Sequence, residues 1–228
     1  MKRLLCVSLF LALTAALTGC GESTGKADIA STLTTQKVTE EADTTAEPGT
    51  YEPLATVRER DIVSNEIYDY EIYDGGVIIT KYKGSDTEVT IPDEIDGSPV
   101  TEIGFYAFEA MGVSSVTLPE TVRVIGEGAF IDCTALVSIN LPSGLTTVER
   151  GAFAGCTAIP ELTVPAGVKE IKRGAFAGCT SLTSLELLSA DLSYDEWGIE
   201  DLPDLKIYAP EGSAVAGWAG AMGKLSVN

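Results

Sequence analysis

Apolar residues recur at a fixed step in the second half of the chain. Phe130, Phe153 and Phe176 follow one another at intervals of 23 residues. Cysteine and proline positions keep the same interval, at Cys133, Cys156, Cys179, Pro119, Pro142 and Pro165. A fixed period of this size is typical of a solenoid, in which each repeat buries its apolar side by stacking on its neighbours. The pattern predicts a repeat protein whose task is to present a surface.

Each repeat contains a short stretch in which apolar and polar positions alternate before the proline. In the repeat that starts at Leu136, the residues Ile139 and Leu141 are apolar and Pro142 ends the stretch. Alternation with a period of two predicts a strand with one buried face and one outer face. The pattern degenerates after Leu188, as terminal repeats usually do.

The residues before the repeats predict a β-hairpin. Residues 68–72 alternate apolar and polar side chains, Asp74-Gly75-Gly76 supplies a turn, and residues 77–80 form a second β-branched stretch. The first turn of a solenoid exposes an apolar face unless another element covers it. The hairpin is therefore predicted to be an N-terminal cap.

The first residues predict a secretory leader. Lys2 and Arg3 precede an apolar stretch from Leu4 to Leu17, which is shorter than the roughly 20 residues of a membrane-spanning helix. The sequence Leu-Thr-Gly-Cys that ends at Cys20 resembles a bacterial lipobox, in which the leader is removed before the cysteine and a lipid is added to its sulfur. The alternative is an ordinary signal peptide with an incidental cysteine.

These patterns divide the chain into five predicted segments. They are a lipoprotein signal peptide (1–19), a flexible tether rich in Ser, Thr and Glu with an acylated Cys20 (20–55), an N-terminal β cap (56–99), the repeats (100–188) and a C-terminal cap (189–228). The tether has too few large apolar residues to offset the entropy of ordering it.

The run from Ile91 to Gly104, followed by repeated Ala-Phe-x-x-Cys-x-x-Leu-x-x-Ile-x-Leu-Pro, resembles the BspA-type (Treponema-like) leucine-rich repeats of bacterial surface lipoproteins. The resemblance covers about residues 65–215. It implies a mainly β, right-handed leucine-rich-repeat solenoid of about four rungs of 22–23 residues, with an N-terminal β-hairpin cap and a C-terminal cap. It also implies an adhesin or interaction protein, although four rungs make a short array.

The charge balance limits the classes of partner. The chain has 15 Lys and Arg against 34 Asp and Glu, a net charge of −19. Such a charge disfavours nucleic acid, whose binding depends on neutralising phosphates, and disfavours close contact with anionic lipid headgroups. A lipid on Cys20 is then the predicted link to the membrane, with the protein on the outer face of a bacterial membrane or at the cell surface.

The sequence predicts no catalytic, cofactor or metal site. It has no histidine, and its G-x-S-x-G match at residues 21–25 falls within the tether. The three cysteines of the repeats are predicted to be buried core residues, with a disulfide or zinc role as the alternative. An acidic cluster in the C-terminal cap is predicted to be solvated, with calcium binding as the alternative; it comprises Asp191, Asp195, Glu196, Glu200, Asp201 and Asp204.

Two surfaces are candidates for binding. Stacking the repeats places two columns of small polar and acidic residues on the outer face of the strands: Ser115, Ser138, Glu161, Ser184 and Thr117, Asn140, Thr163, Glu186. A short basic strip that includes Arg150 and Arg173 is a second candidate, for an acidic polymer or protein. The alternative for the strip is charge pairing between repeats with Glu149 and Glu170.

The sequence therefore predicts a non-enzymatic, lipid-anchored repeat protein that mediates protein–protein or cell-surface interaction, with an unknown protein or surface polymer as partner. The alternative is a structural envelope component that assembles with copies of itself. A third class, an enzyme that acts on a glycan, would need a pair of carboxylates in a pocket, and the repeat specifies none.

Overall fold

The computed structural model describes residues 62–226, which fold into a mainly β solenoid of about six turns. The elements in chain order are β1 (Ile62–Ser64), β2 (Tyr68–Tyr73), β3 (Gly76–Tyr82), β4 (Glu88–Thr90), β5 (Glu94–Ile95), β6 (Ser98–Ile103), β7 (Ser115–Thr117), β8 (Val124–Ile125), β9 (Ser138–Ile139), β10 (Thr147–Val148), β11 (Glu161–Val164), β12 (Glu170–Ile171), β13 (Ser184–Leu187), β14 (Lys206–Tyr208), α1 (Ala214–Ala221) and β15 (Leu225–Ser226).

The strands of successive turns stack on two sides of the solenoid. One side is an eight-stranded sheet with the order β1-β2-β3-β6-β8-β10-β12, in which β5 pairs with β6 off this path. The other side carries the strands that precede each proline. It consists of two separate sheets, β4-β7-β9 and β11-β13-β14-β15. Neighbouring strands from successive turns are parallel, as stacked repeats require.

The N-terminal hairpin is built as predicted. Strands β2 and β3 pair antiparallel, with Tyr73 opposite Gly76 across the turn. Strand β3 also pairs in parallel with β6, so the hairpin continues the eight-stranded sheet. The ring of Tyr82 lies 4.9 Å from the ring of Phe108 and stacks on it. The hairpin thus covers the first turn of the solenoid, which confirms the predicted cap.

A column of aromatic rings runs through the core. Phe108, Phe130, Phe153 and Phe176 are buried, and their successive ring centroids are 5.0, 5.5 and 6.0 Å apart. Burial of large apolar side chains in equivalent positions is the main favourable term that holds successive turns together. The 23-residue interval of the sequence is therefore the interval of this ring stack from Phe130 onward, and the step from Phe108 to Phe130 is 22 residues.

The three repeat cysteines lie beside the ring stack as free, buried thiols. The Sγ atoms of Cys133, Cys156 and Cys179 donate to the carbonyl oxygens of Phe108, Phe130 and Phe153 at 3.0, 3.1 and 3.1 Å. Burial raises the pKa of Cys133 to about 11 and that of Cys179 to about 12, and it raises the pKa of Cys156 as well. The predicted core role of these residues is confirmed.

The repeat continues beyond Leu188, where the sequence pattern degenerates. Strand β14 pairs in parallel with β13, with Lys206 beside Ser184 and Tyr208 beside Glu186, and β15 follows. Helix α1 then packs at this end. The buried Trp197 donates from its indole Nε1 to the carbonyl oxygen of Ile171 at 2.9 Å. The fold class is confirmed, with about six turns where the sequence predicted about four.

The predicted leader, Cys20 and tether lie outside the described residues. Across residues 62–226, no helix has both the length and the apolar character needed to cross a membrane.

Candidate functional site: a groove on the strand side

The side of the solenoid that carries the strands before each proline is called the strand side. It is interrupted between the third and fourth repeats, which contribute β9 and β11. Strands β9 and β11 belong to different sheets, although they come from successive turns. Elsewhere, the residue before the strand donates its N–H to the previous turn: Val137 N lies 2.9 Å from Ser114 O, and Thr183 N lies 2.9 Å from Pro160 O. Pro160 occupies this position in the fourth repeat and has no N–H to donate, so the ladder is broken there.

A groove with a volume of about 900 Å³ lies across this interruption. It is lined by the outer residues of β9, β11 and β13 and by Tyr208 of β14. The groove is open and lined by both polar and apolar residues, and it lies on the face that the sequence predicts as a binding surface. A concave site lined by several polar groups is the usual form of a binding site on a repeat scaffold.

Three carboxylates line the groove, at Glu120, Glu161 and Glu186. Thr163 Oγ1 donates to Glu186 Oε2 at 3.1 Å. The backbone N and the Oγ of Ser143 lie 3.1 and 2.8 Å from Glu120 Oε2. No lysine or arginine is among the lining residues, and none of these carboxylates forms an ion pair within residues 62–226. The groove therefore has a negative electrostatic character.

The margin of the groove is partly apolar. Val137 is 51% exposed and Leu188 is 47% exposed. Leu188 stands where the earlier repeats have Pro119, Pro142 and Pro165. Tyr208 is half-buried and adds an aromatic ring beside Glu186. Tyrosine is among the residues that contribute most to interfaces. The face therefore offers apolar and aromatic contacts in addition to the two polar columns that the sequence predicted.

The structure divides the predicted column residues into two groups. Those that line the groove are Ser138, Asn140, Glu161, Thr163, Ser184 and Glu186, whereas Ser115 and Thr117 of β7 do not. Asn140 is held by the backbone of the previous turn: its Oδ1 accepts from Leu118 N at 2.7 Å and its Nδ2 donates to Leu118 O at 2.9 Å. Both polar atoms of the Asn140 amide are therefore already hydrogen-bonded, and the residue forms part of the groove wall.

The basic strip lies elsewhere and is paired with acidic residues. Arg150 and Arg173 follow strands β10 and β12 of the eight-stranded sheet and do not line the groove. Arg150 Nη2 lies 2.6 Å from Glu127 Oε1, and Arg173 Nη2 lies 3.0 Å from Glu196 Oε2.

Lys172 completes the pattern of pairing between turns. Its Nζ lies 2.8 Å from Glu149 Oε1 and 4.0 Å from Glu170 Oε2. The hydrogen bond to Glu149 raises the pKa of Lys172. Pairing between successive turns is therefore the arrangement found, although Arg150 pairs with Glu127 rather than with Glu149.

The acidic cluster of the C-terminal segment is spread over exposed positions. Within residues 62–226, no three Cys, Asp or Glu side chains are grouped so that they could hold a metal ion. The geometry gives the calcium hypothesis no support.

The sequence prediction missed several groove residues, among them Glu120, Val137, Leu188 and Tyr208. The strand of Tyr208 has a recoverable signal, because Ile207 and Ala209 alternate before Pro210 as in the earlier repeats. The long C-terminal segment between Leu188 and Lys206 hides this match by departing from the repeat pattern.

Comparisons with known proteins agree with this architecture. The family described as BspA type Leucine rich repeat region matches residues 87–196 with 6 copies. The crystal structure of the T. pallidum Leucine Rich Repeat protein (TpLRR) is 31% identical with a TM-score of 0.61, and the match covers 64% of this chain and 71% of that chain. No curated protein matches the chain.

Two further crystal structures are similar. A leucine-rich repeat protein from Bacteroides capillosus ATCC 29799 is 31% identical with a TM-score of 0.51, over 55% of this chain and 97% of that chain. A leucine rich cell surface protein from Faecalibacterium prausnitzii A2-165 is 22% identical with a TM-score of 0.45, over 64% of this chain and 54% of that chain.

The chain belongs to the BspA-type leucine-rich repeat family. This family and fold are typically binding scaffolds rather than enzymes, and they support a role for the chain in protein–protein interaction.

Proposed function

We propose that the protein is a lipid-anchored, cell-surface binding module whose groove holds a partner protein or surface polymer. The observation that carries this proposal is the groove of about 900 Å³ on the strand side of a family-typical solenoid. The groove is the place where charged, hydroxyl and apolar side chains of several turns converge. Such convergence lets one partner contact several repeats at once.

The proposed anchor is a lipid on Cys20. Its support is the order of the leader: two cations, an apolar stretch, small residues and then the cysteine. In this proposal, residues 20–55 separate the solenoid from the membrane, and the groove faces molecules outside the cell.

The proposed activity is binding without catalysis. The chain contains no histidine, which is the commonest general base in enzymes. The thiols of the repeats are buried with raised pKa values, so they do not supply a thiolate nucleophile. The groove carboxylates are then groups that attract a partner.

Capture on intact cells tests the binding role. The full chain, carrying a photo-crosslinker, is applied to producing cells and to candidate host surfaces, and the products are identified by mass spectrometry. Thr163→Arg fills the groove and should abolish capture, whereas Ser115→Arg, on the same face but outside the groove, should leave it unchanged. Equal capture by both variants would place the partner elsewhere on the molecule.

Membrane fractionation tests the anchor. Cys20→Ala should release the protein from membranes, because a folded domain without its lipid has no other predicted membrane contact. Membrane partitioning of intact Cys20→Ala protein equal to that of the unchanged chain would contradict the proposal.

If crosslinking recovers only copies of the chain and sedimentation is concentration-dependent, a self-assembling envelope component is the better description.

A further inference from the structure

The charges of the groove narrow the chemistry of its partner. Resting on the proposed function, we propose that the groove binds an extended cationic peptide segment with lysine or arginine at alternate positions. Glu161 and Glu186 provide the charge, and Tyr208 provides an aromatic contact.

The first argument is a contrast between the two sides of the solenoid. Beside the eight-stranded sheet, Glu127, Glu149 and Glu196 each have an arginine or lysine within 3.0 Å. Glu161 and Glu186 have no such cation within residues 62–226, and no cation is among the groove-lining residues. A cationic partner would supply the missing counter-charge, and complementary charge speeds encounter and selects the correct partner.

The second argument is spacing. Glu161 pairs across the ladder with Ser184, so Glu186 is its diagonal neighbour on the next strand. Diagonal neighbours in a sheet are about 7–8 Å apart. Alternate side chains of an extended peptide point the same way and are spaced by about 6.6 Å. Two cations at positions i and i+2 of an extended segment therefore match the two carboxylates.

The third argument is the surroundings of Glu186. Its parallel neighbour on β14 is Tyr208, and neighbouring strands lie about 4.8 Å apart. A cation at Glu186 therefore also meets an aromatic ring, which attracts ammonium and guanidinium groups. The exposed side chains of Leu188 and Val137 can contact the aliphatic stems of lysine or arginine.

Lys206 sets one boundary of the proposed site. It pairs with Ser184 at the end of the same column as Glu161, and it is not among the lining residues. Within residues 62–226, it forms no ion pair with Glu161 or Glu186. Its charge disfavours a second cation at that corner, so the segment is expected to run diagonally from Glu161 towards Glu186 and Tyr208.

Binding of synthetic peptides to the full chain tests the proposal. The probes are a ten-residue peptide of alternating Lys and Ser with blocked termini, an isomer with its lysines consecutive, and a version with Gln for Lys. Fluorescence anisotropy at low and moderate salt gives Kd. We expect the alternating peptide to bind more tightly than the isomer, and the Gln version not to bind.

Matched variants separate a specific site from general attraction to an acidic protein. Glu161→Gln with Glu186→Gln should weaken binding about tenfold, because each exposed ion pair contributes about two- to fivefold. Tyr208→Leu should weaken it by a further two- to fivefold or so. The control pair Glu88→Gln with Glu109→Gln removes the same charge at exposed positions outside the groove and should change Kd by less than about twofold.

Three results would overturn the inference: equal weakening by the two double variants, equal affinity for the two lysine isomers, or no binding of any lysine peptide. These outcomes are distinct from failure of the proposed function. If the cell-surface partner is still captured, and Thr163→Arg abolishes capture but the groove Gln variants do not, the binding role stands and the cationic partner is wrong. If no partner is captured at all, the proposed function itself fails.

Discussion

At the scale of single residues, the turns that follow the ring stack share a left-handed backbone position. Successive repeats place Ala110, Asp132, Gly155 and Gly178 there, with φ values of 53°, 56°, 74° and 73°. The hydrogen bonds between turns show that these positions are equivalent, since the N–H of each of the first three bonds to the residue before the next one. Glycine adopts this conformation without steric cost, whereas alanine does not.

Ala110→Gly should therefore stabilise the protein by about 0.5–1 kcal/mol, after the greater freedom of glycine in the unfolded chain is subtracted. Gly178→Ala is the matched reverse change. A Cβ there would have its nearest neighbours at 3.6 and 3.7 Å, so the substitution adds backbone strain without a clash. Urea unfolding of both variants measures the effect. The strain account is wrong if both substitutions shift stability in the same direction.

The buried thiols give stability a dependence on alkaline pH. Burial raises the pKa of Cys133 from 9.0 to about 11. Its contribution to stability is fully present below pH 9, and it is lost as pH rises towards 11 because only the unfolded chain ionises in that window. The same sign applies to Cys179, whose pKa is raised to about 12.

The free energy of unfolding should fall from pH 9 upward, and it should fall less steeply in Cys133→Ala. The difference in slope is at most about 1.4 kcal/mol per pH unit. Urea unfolding between pH 7 and pH 10.5 measures both curves. Tyr68 and Tyr70, whose pKa values burial raises to about 12, affect both proteins alike. Parallel curves would show that the thiol contributes nothing.

At the scale of elements, the strand side is held together partly by one side chain. The amide of Asn140 satisfies both backbone polar groups of the buried Leu118, where the ladder between β7 and β9 ends. One repeat later, Pro160 prevents the ladder from forming. The two features together determine where the face opens into a groove.

Asn140→Ala should destabilise the protein by about 1–3 kcal/mol, because it leaves a buried N–H and C=O without partners. The matched control is Thr117→Ala, at the same column on the previous strand and exposed, which should cost less than about 0.5 kcal/mol. Thermal and urea unfolding compare the two. Similar small effects for both variants would mean that water replaces the amide.

At the scale of the whole molecule, charge repulsion opposes folding. The net charge is −19, and the ion pairs between turns involve partly exposed side chains. Exposed pairs contribute little individually, whereas self-repulsion acts across the compact state. Salt screens both effects, and the repulsion is expected to dominate.

Raising NaCl from about 10 to 200 mM should therefore increase Tm by about 2–4 °C, equivalent to about 1 kcal/mol. Calorimetry at pH 7 measures the shift, and the same titration near pH 4 is the control because many carboxylates are then protonated. A fall in Tm at pH 7 would mean that the ion pairs outweigh the repulsion.

The repetitive parts of the fold were predictable from sequence, because they depend on side chains that recur at one interval. The recurrence of Phe153 and Cys156 predicts that these two residues are buried. It predicts the same for the phenylalanines and cysteines at equivalent positions of the other repeats, and all of them are buried. The hairpin was predictable from its alternation and turn. The β14 strand was missed because recognition of a repeat depends on regular spacing, which the segment before Lys206 lacks.

The candidate site was predictable only in part. Alternation placed Glu161 and Glu186 on the outer face, but it could not show that Asn140 turns its amide to Leu118. Arg150 pairs with Glu127 of the preceding turn. The sequence does not predict this partner, because side-chain packing determines the direction in which the arginine extends. The interruption at Pro160 follows from one missing backbone N–H donor. The residues at the equivalent position of the other repeats share no side-chain type, so the sequence pattern does not mark this position.

The interruption between β9 and β11 also makes the solenoid unevenly stiff. On the opposite side β8, β10 and β12 remain hydrogen-bonded in an unbroken series. Bending the array between these two turns therefore works against that continuous sheet, and no inter-strand hydrogen bond of a β9–β11 ladder opposes it on the strand side.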